Sequence, residues 1–245
     1  MNQDLLFTSA TDLSRRIRSG EVSPVEVIEA VLQAVDLLNP QLNAFCTVTA
    51  EYAREMARVA EAAVLAGEPL GPLHGVPVSI KDIVLTNGVR TTRGSKRYEW
   101  YVPEEDAPIV QRLKDSGAIM IGKTTTPELG WKATTDSLLF GVTRNPWNTD
   151  LTPGGSSGGA AAAVASGLAP LAVGTDGGGS GRIPASFCGI YGLKPSFGRV
   201  PYYPASAVEP LSHAGPMTRS VADAALMLSV MAGPFEKDRN TLPAT

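Results

Sequence analysis

Two glycine-rich turns that carry serine lie within a short stretch of this chain, residues 152–192. Residues 154–159 read GGSSGG and residues 176–182 read DGGGSGR, with an apolar, alanine-dense run between them. A serine oxygen that attacks a carbonyl needs a proton acceptor beside it and N–H donors aimed at the oxyanion that forms. Consecutive glycines can direct several backbone N–H groups to one point. The two turns therefore indicate acyl-transfer chemistry, with the base supplied from elsewhere in the chain.

The two turns also have plainer interpretations. Ser156 and Ser157 lie at or just before a predicted helix, where serine is a common N-cap, and a glycine turn at a helix start can hold phosphate. Nucleotide binding is poorly supported, because no lysine follows as in GxxxxGK and neither turn matches GxGxxG. In the second turn Ser180 is expected to emerge at the end of an apolar strand. Asp176 and Arg182 flank that turn and could pair across it.

Lys81 is the best candidate for the base. It ends the apolar run VPVSI, whereas His74 and His213 lie among glycine and proline in PLHGVP and LSHAGP. A lysine accepts a proton only when neutral, and burial lowers its pKa. Lowering the pKa from about 10.4 to about 7 corresponds to roughly 4–5 kcal/mol. A surface ion pair between Lys81 and Asp82 is the competing interpretation.

Several separated motifs resemble the amidase signature family of serine hydrolases, and they occur in that family's order. They are HGVPVSIKD, GKTTTPELGW, GVTRNPWN, GGSSGG, GTDGGGSGRIPASFCG and GLKPSFGRVP. The resemblance covers nearly the whole chain. It implies an amide hydrolase that needs no cofactor.

The resemblance also implies a Ser–cis-Ser–Lys triad, a variant of the serine–lysine solution to acyl transfer. Ser180 is similar to the nucleophile, Ser156 to the bridging serine that follows a cis peptide bond, and Lys81 to the base. Ser157 is similar to the supporting hydroxyl. Backbone N–H groups are expected to form the oxyanion hole, and they belong to Gly177, Gly178, Gly179 and Ser180.

The chain departs from the family pattern in four residues and in length. Gly181 replaces a bulkier apolar residue and Gly177 replaces a common threonine, which loosens the nucleophile turn. Thr125 stands where asparagine is frequent and Leu129 where phenylalanine is usual, which alters the expected pocket wall. Family members are usually about twice as long, so we expect the fold and the acyl pocket to be incomplete at the C-terminus.

The elements that must position these residues alternate between helix and strand from residue 71 onward. Helices are predicted near 9–19, from Ser23 to about 38, and at 50–66, 106–116, 158–166 and 220–232; strands are predicted at 76–81, 118–122 and 171–175. Ser23, Pro24 and Glu26 predict a capping box at the start of the second helix. We expect one α/β domain, 1–245, with a helical lead-in over 1–70 and a catalytic α/β core over 71–245. The resemblance implies a mixed sheet covered by helices on both faces.

Composition excludes several classes of protein. The 245 residues are 43% hydrophobic and 18% charged, with a net charge of −3, which is ordinary for a globular protein. Because no run of lysine or arginine exceeds two residues, no nucleic-acid or anionic-membrane partner is expected. No apolar run is long enough for a leader or a membrane span, which predicts a cytoplasmic protein. The sequence leaves a homodimer as a possible assembly.

Metal and disulfide chemistry are not expected either. Cys46 and Cys188 lie in apolar surroundings and are predicted to be free thiols, and the two histidines have no partner at metal-ligand spacing. The leading hypothesis is thus hydrolysis of a small-molecule amide. Its alternatives are an amidotransferase subunit that releases ammonia from glutamine for charged tRNA, and an incomplete, inactive chain that only binds.

Overall fold

Eight α-helices and eight β-strands lie in residues 3–243, the part of the chain that this computed structural model describes. The helices are α1 (Gln3–Phe7), α2 (Ala10–Arg18), α3 (Pro24–Leu42), α4 (Ala50–Leu65), α5 (Pro108–Asp115), α6 (Gly158–Ala165), α7 (Arg182–Cys188) and α8 (Val221–Met231). The strands are β1 (Phe45–Val48), β2 (Pro77–Lys81), β3 (Ile119–Thr124), β4 (Asp136–Ser137), β5 (Gly141–Val142), β6 (Leu171–Asp176), β7 (Tyr191–Gly192) and β8 (His213–Thr218). Two short 3₁₀ turns occupy Lys96–Tyr98 and Glu128–Gly130.

The predicted capping box starts α3. The Val25 N–H donates to the Ser23 hydroxyl at 2.9 Å, and the Ser23 N–H donates to the Glu26 carboxylate at 3.1 Å. Two N–H groups that a helix start would otherwise leave unpaired are thereby satisfied. The helix continues past its predicted end near residue 38 and stops at Asn43, which is left-handed with φ 50°.

One mixed sheet of six strands organises the fold, in the order β1-β3-β2-β6-β8-β7. Its centre is parallel, because β2 pairs in parallel with both β3 and β6, and the remaining pairings are antiparallel. The C-terminal ends of β2 and β6 therefore meet at one edge. That edge holds Lys81 and Asp176, the last residues of the two strands.

Apolar side chains cover both faces of the central strands. On β6, Leu171 and Val173 belong to the main core, which also includes residues of α2, α3, α4 and α8. Ala172 lies between them and packs in a smaller cluster with residues of α6 and α7. Successive residues of a strand point to opposite faces, so the sheet carries helices on both sides, as expected.

Seven regular elements were not predicted from the sequence, and all are short: α1, β1, β4, β5, α7, β7 and β8. The lead-in 1–70 is not purely helical, because the edge strand β1 pairs with β3 there. Its four residues, FCTV, are too few to show a strand period. Strand β8 reads HAGPMT, in which glycine and proline imitate a turn.

Within residues 3–243, no helix combines the length and the apolar composition needed to cross a membrane.

Candidate active site

Lys81 lies at the centre of a buried cluster of hydroxyls. Its side chain is fully buried, and its Nζ lies 2.7 Å from Ser156 Oγ, 2.9 Å from Ser157 Oγ and 2.8 Å from Thr175 Oγ1. Every residue of β2 is buried, so the strand carries the amine to the edge of the sheet without exposing it. A charged ammonium can donate to all three hydroxyls. A neutral amine keeps a lone pair that can accept the proton of one of them.

Burial lowers the pKa of Lys81 to about 7, and the negative charge of Asp176 opposes this shift. The amine is therefore close to half neutral at neutral pH, which suits a general base. The alternative of a Lys81–Asp82 surface pair is wrong, because both side chains are fully buried. The Asp82 carboxylate instead accepts hydrogen bonds from the N–H and hydroxyl of Thr92.

The first glycine turn presents Ser156 and Ser157 to this amine. The Gly155–Ser156 peptide bond is cis, as the resemblance implied. Gly155 passes so close to the chain that a Cβ there would lie 2.5 Å from the carbonyl oxygen of Thr134. Ser157 occupies the N-cap position of α6, yet its side chain makes no capping hydrogen bond and donates to the Thr175 carbonyl at 3.1 Å. The plain helix-cap interpretation is thus wrong for this hydroxyl.

The second glycine turn is fastened by the Asp176 carboxylate. That carboxylate accepts from the N–H groups of Gly179 at 2.7 Å and Gly181 at 3.1 Å, and from Arg182 Nε at 2.9 Å. The anticipated pairing of Asp176 with Arg182 is therefore present. Burial alone would raise the pKa of Asp176, but these hydrogen bonds outweigh it and lower the pKa to about 2.

The two turns meet through a backbone hydrogen bond. The Ser157 N–H donates to the carbonyl of Ser180 at 3.0 Å. Ser156 is almost fully buried, whereas Ser180 is partly exposed. The backbone hydrogen bond thus holds the turn of the partly exposed Ser180 against the turn whose buried Ser156 contacts Lys81.

The N–H groups expected to form an oxyanion hole are not equivalent. That of Gly179 is taken by Asp176, as described above. In the described part of the chain, those of Gly177, Gly178 and Ser180 have no such acceptor. Within residues 3–243, three of the four N–H groups expected to form the oxyanion hole are therefore without an acceptor.

Neither histidine contacts the serines. His74 Nε2 lies 2.9 Å from the Ala60 carbonyl, and His213 Nδ1 lies 2.6 Å from the Leu211 carbonyl. Both rings thus bind backbone.

Sequence reasoning missed Thr175, the third partner of the Lys81 amine. Thr175 lies on β6, the strand that pairs with β2, and its hydroxyl accepts a hydrogen bond from the Lys81 amine. A signal was present in the sequence, because Thr175 ends an apolar run five residues before Ser180, at the edge where parallel strands end together.

Thr125 and Leu129, the two departures from the family pattern that lie outside the glycine turns, have different surroundings. Thr125 is buried and shares a hydrogen bond of 2.7 Å with the Thr143 hydroxyl, so it belongs to a structural network rather than to a pocket wall. Leu129 lies on the wall of a cleft beside Ser156.

Among residues 3–243 no group of three or more His, Cys, Asp or Glu side chains could hold a metal ion. Both cysteines are free, Cys188 buried and Cys46 partly exposed.

Comparison with known proteins matches this geometry to one family. The Amidase family matches residues 26–245. The chain is 49% identical to the A-type subunit of the glutamyl-tRNA(Gln) amidotransferase of Rhodopirellula baltica, over 98% of this chain and 48% of that protein. It is 46% identical to an acylamidase of Rhodococcus erythropolis, over 96% of this chain and 50% of that protein.

A solved structure of a bacterial aryl acylamidase of the amidase signature family superposes with a TM-score of 0.92 at 38% identity, covering 97% of this chain and 50% of that one. The chain spans about half the length of the curated relatives it matches. With the matched motifs in place and the fold shared, the chain belongs to the amidase signature family.

Proposed function

We propose that this chain hydrolyses a carboxylic amide through an acyl-enzyme on Ser180, with Ser156 as proton relay and Lys81 as base. The observation that carries the proposal is the 2.7 Å contact between the buried Lys81 amine and Ser156, next to the turn that holds Ser180. A lowered lysine pKa and a reachable serine are what a serine–lysine hydrolase requires.

The reaction begins with two coupled proton transfers. Neutral Lys81 takes the proton of the Ser156 hydroxyl as Ser156 takes the proton of Ser180, and the Ser180 oxygen bonds to the amide carbon. The carbonyl oxygen becomes an oxyanion, which accepts hydrogen bonds from backbone N–H groups of the glycine turn. Donors placed where charge develops lower the barrier without reorganising.

The tetrahedral intermediate then collapses and the C–N bond breaks. The leaving amine takes a proton from Ser156, and Lys81 returns its proton to Ser156. Water attacks the resulting ester and gives its proton to the same relay, which restores the Ser180 hydroxyl and releases the carboxylic acid.

The remaining site residues hold this geometry. Ser157 and Thr175 fix the direction of the amine, because each accepts one of its hydrogen bonds. Asp176 and Arg182 hold the nucleophile turn in shape. Because Asp176 already occupies Gly179 N–H, we assign the oxyanion chiefly to Gly177, Gly178 and Ser180.

Reaction with a fluorophosphonate probe, followed by mass spectrometry of the adduct, tests the proposal. We expect one adduct, on Ser180, and its loss in Lys81→Met and Ser156→Ala. Ser186→Ala is the matched control, because Ser186 is an exposed serine on α7 and should leave labelling unchanged. A folded chain that is not labelled, or one labelled elsewhere, would overturn the assignment.

The amidotransferase role is the second candidate, and the similarity to the A-type subunits of glutamyl-tRNA(Gln) amidotransferases is the observation that favours it. In that role the acyl-enzyme would form from glutamine, and the released ammonia would serve a partner protein. Comparing the rate of ammonia release from glutamine with that from simple aliphatic amides distinguishes the amidotransferase role from the hydrolase role. Hydrolysis of aliphatic amides with no activity on glutamine favours the hydrolase.

A further inference from the structure

A large apolar cleft lies beside the proposed relay serine. Its volume is about 390 Å³, which is room for a small organic molecule. The walls come from the chain after β2, from the segment around residue 129 and from residues 201–208. The apolar side chains among them include Ile83, Leu85, Ile109, Leu129, Tyr202 and Pro204.

Gly130 joins this cleft to the catalytic cluster. A Cβ placed on Gly130 would lie 2.6 Å from the Ile83 side chain and 3.3 Å from Ser156 Oγ. The cleft wall at Ile83 and the relay hydroxyl thus flank the same bare backbone. Ile83 also follows Lys81 by two residues, so the cleft begins next to the strand end that carries the proposed base.

Arg93 is the charged residue among the cleft-lining residues of the described chain. Its Nε is buried and has no hydrogen-bond partner, and its guanidinium lies 4.9 Å and 5.9 Å from the ring centres of Tyr98 and Tyr101. Within residues 3–243 it makes no ion pair. A permanently charged guanidinium, whose Nε–H has no acceptor among residues 3–243, thus lies on the wall of an apolar cleft.

We propose that this cleft selects amides whose acyl group carries a carboxylate at the far end of a short apolar chain, with Arg93 binding that carboxylate. This inference rests on the proposed hydrolase function and adds the substrate class to it. A guanidinium binds a carboxylate through two parallel hydrogen bonds, and low-dielectric walls strengthen the pair. The apolar walls fit the methylene spacer.

The backbone at Arg93 does not depend on its side chain. Arg93 N–H donates to the Asp82 carbonyl at 2.9 Å, and Leu129 N–H donates to the Arg93 carbonyl at 2.7 Å. Substituting the side chain keeps both bonds, which hold the cleft wall to the end of β2. Arg93→Met is therefore a test of recognition more than of folding.

Primary amides provide the sharpest assay, because their leaving group is ammonia and only the acyl part can fill the cleft. We expect kcat/KM for adipic acid monoamide to exceed that for hexanamide by about ten- to a hundredfold, the range of a charge-assisted hydrogen-bond pair. Arg93→Met should remove this preference mainly through KM. Arg93→Lys should keep part of it, since the charge remains and the fork does not.

Arg97→Met is the matched control, because Arg97 is exposed, near in sequence and outside the cleft lining. It should leave the preference intact. Equal rates on the two amides in the unsubstituted chain would overturn the proposal, as would an equal loss on both in Arg93→Met.

A binding measurement separates this inference from the proposed function. Adipate and hexanoate are titrated against the fluorescence of the chain, with Trp131 on the cleft wall as a reporter. Tighter binding of adipate that Arg93→Met abolishes supports the anionic site even if no amide is hydrolysed. Equal, weak binding of both acids counts against the site even if hydrolysis is observed.

Discussion

The proposed mechanism makes the reaction of Ser180 depend on pH through Lys81. The amine must be neutral to accept a proton, so the rate should follow the neutral fraction of Lys81. Burial lowers the pKa of this side chain to about 7. The rate should therefore rise as pH increases through neutrality and reach a plateau in mildly alkaline buffer.

The size of the effect follows from that pKa. With a pKa of about 7, the neutral fraction is about 1% at pH 5, about 9% at pH 6 and about 91% at pH 8. A lysine with the ordinary pKa of 10.5 would be only about 0.3% neutral at pH 8. The difference between these two pKa values corresponds to about 5 kcal/mol between the two protonation states of Lys81.

The rate of fluorophosphonate labelling measures this pH dependence without an amide substrate. We expect the second-order rate constant to rise about a hundredfold from pH 5 to the plateau, with its midpoint near 7. Hydrolysis of the fluorophosphonate in each buffer without protein, measured in parallel, controls for the reagent and the buffers. A profile that is flat between about pH 5 and about pH 9, or a midpoint near 10, would refute the assignment of Lys81 as base.

Three further predictions concern the same cluster. Thr175→Val removes an acceptor that favours the charged amine, so the labelling midpoint should move to lower pH by about one unit. Lys81→Met should abolish labelling. Between pH 7 and 10.5 the lysine holds its proton only in the unfolded chain, so the unfolding free energy of the unsubstituted chain should rise by about 1.4 kcal/mol per pH unit relative to this variant. Urea denaturation at several pH values measures that difference. Gly155→Ala should lower the unfolding free energy by about 1–3 kcal/mol, and with it the urea midpoint, because the new Cβ would meet the backbone of Thr134. Gly178→Ala should leave the midpoint unchanged, because a Cβ there has nothing within 4 Å. Equal urea midpoints for the two glycine variants would contradict the packing argument.

Much of the fold was predictable because helices and buried strands leave periodic or continuous apolar patterns. The capping box at Ser23 and the strands predicted at 76–81 and 171–175 are present, the latter one residue longer than predicted. What failed were short elements whose pattern is ambiguous, such as β1, and β8, which carries glycine and proline inside a strand. Their pairing is decided by neighbouring strands, which no local window contains.

Residue types and motif order predict Lys81, Ser156 and Ser180 as the residues of the candidate site, and the structure places the Lys81 amine 2.7 Å from Ser156 Oγ. The other contacts of the site were less predictable. The occupation of Gly179 N–H by Asp176 was not predicted, although Asp176 was expected to brace the turn. One carboxylate can reach both a side chain and several N–H groups only in a particular turn geometry, which sequence spacing does not specify.

The choice between two buried lysines shows where three-dimensional register is needed. Lys123 on β3 is as buried as Lys81 on the adjacent strand, and burial lowers its pKa to about 8. In the sheet Lys81 is paired with Thr124, so Lys123 is offset by one position and projects from the opposite face.

That offset gives the two amines different partners. Lys123 Nζ donates to the Val84 carbonyl and to the hydroxyls of Thr86 and Thr91, and the charge of Asp82 supports its protonated form. Among residues 3–243, Lys81 Nζ donates only to hydroxyls, and one of them belongs to Ser156, the proposed relay to Ser180. A shift of one residue in the register of β2 would turn Lys81 to the face of the sheet on which Lys123 lies, so the proposed base depends on this register.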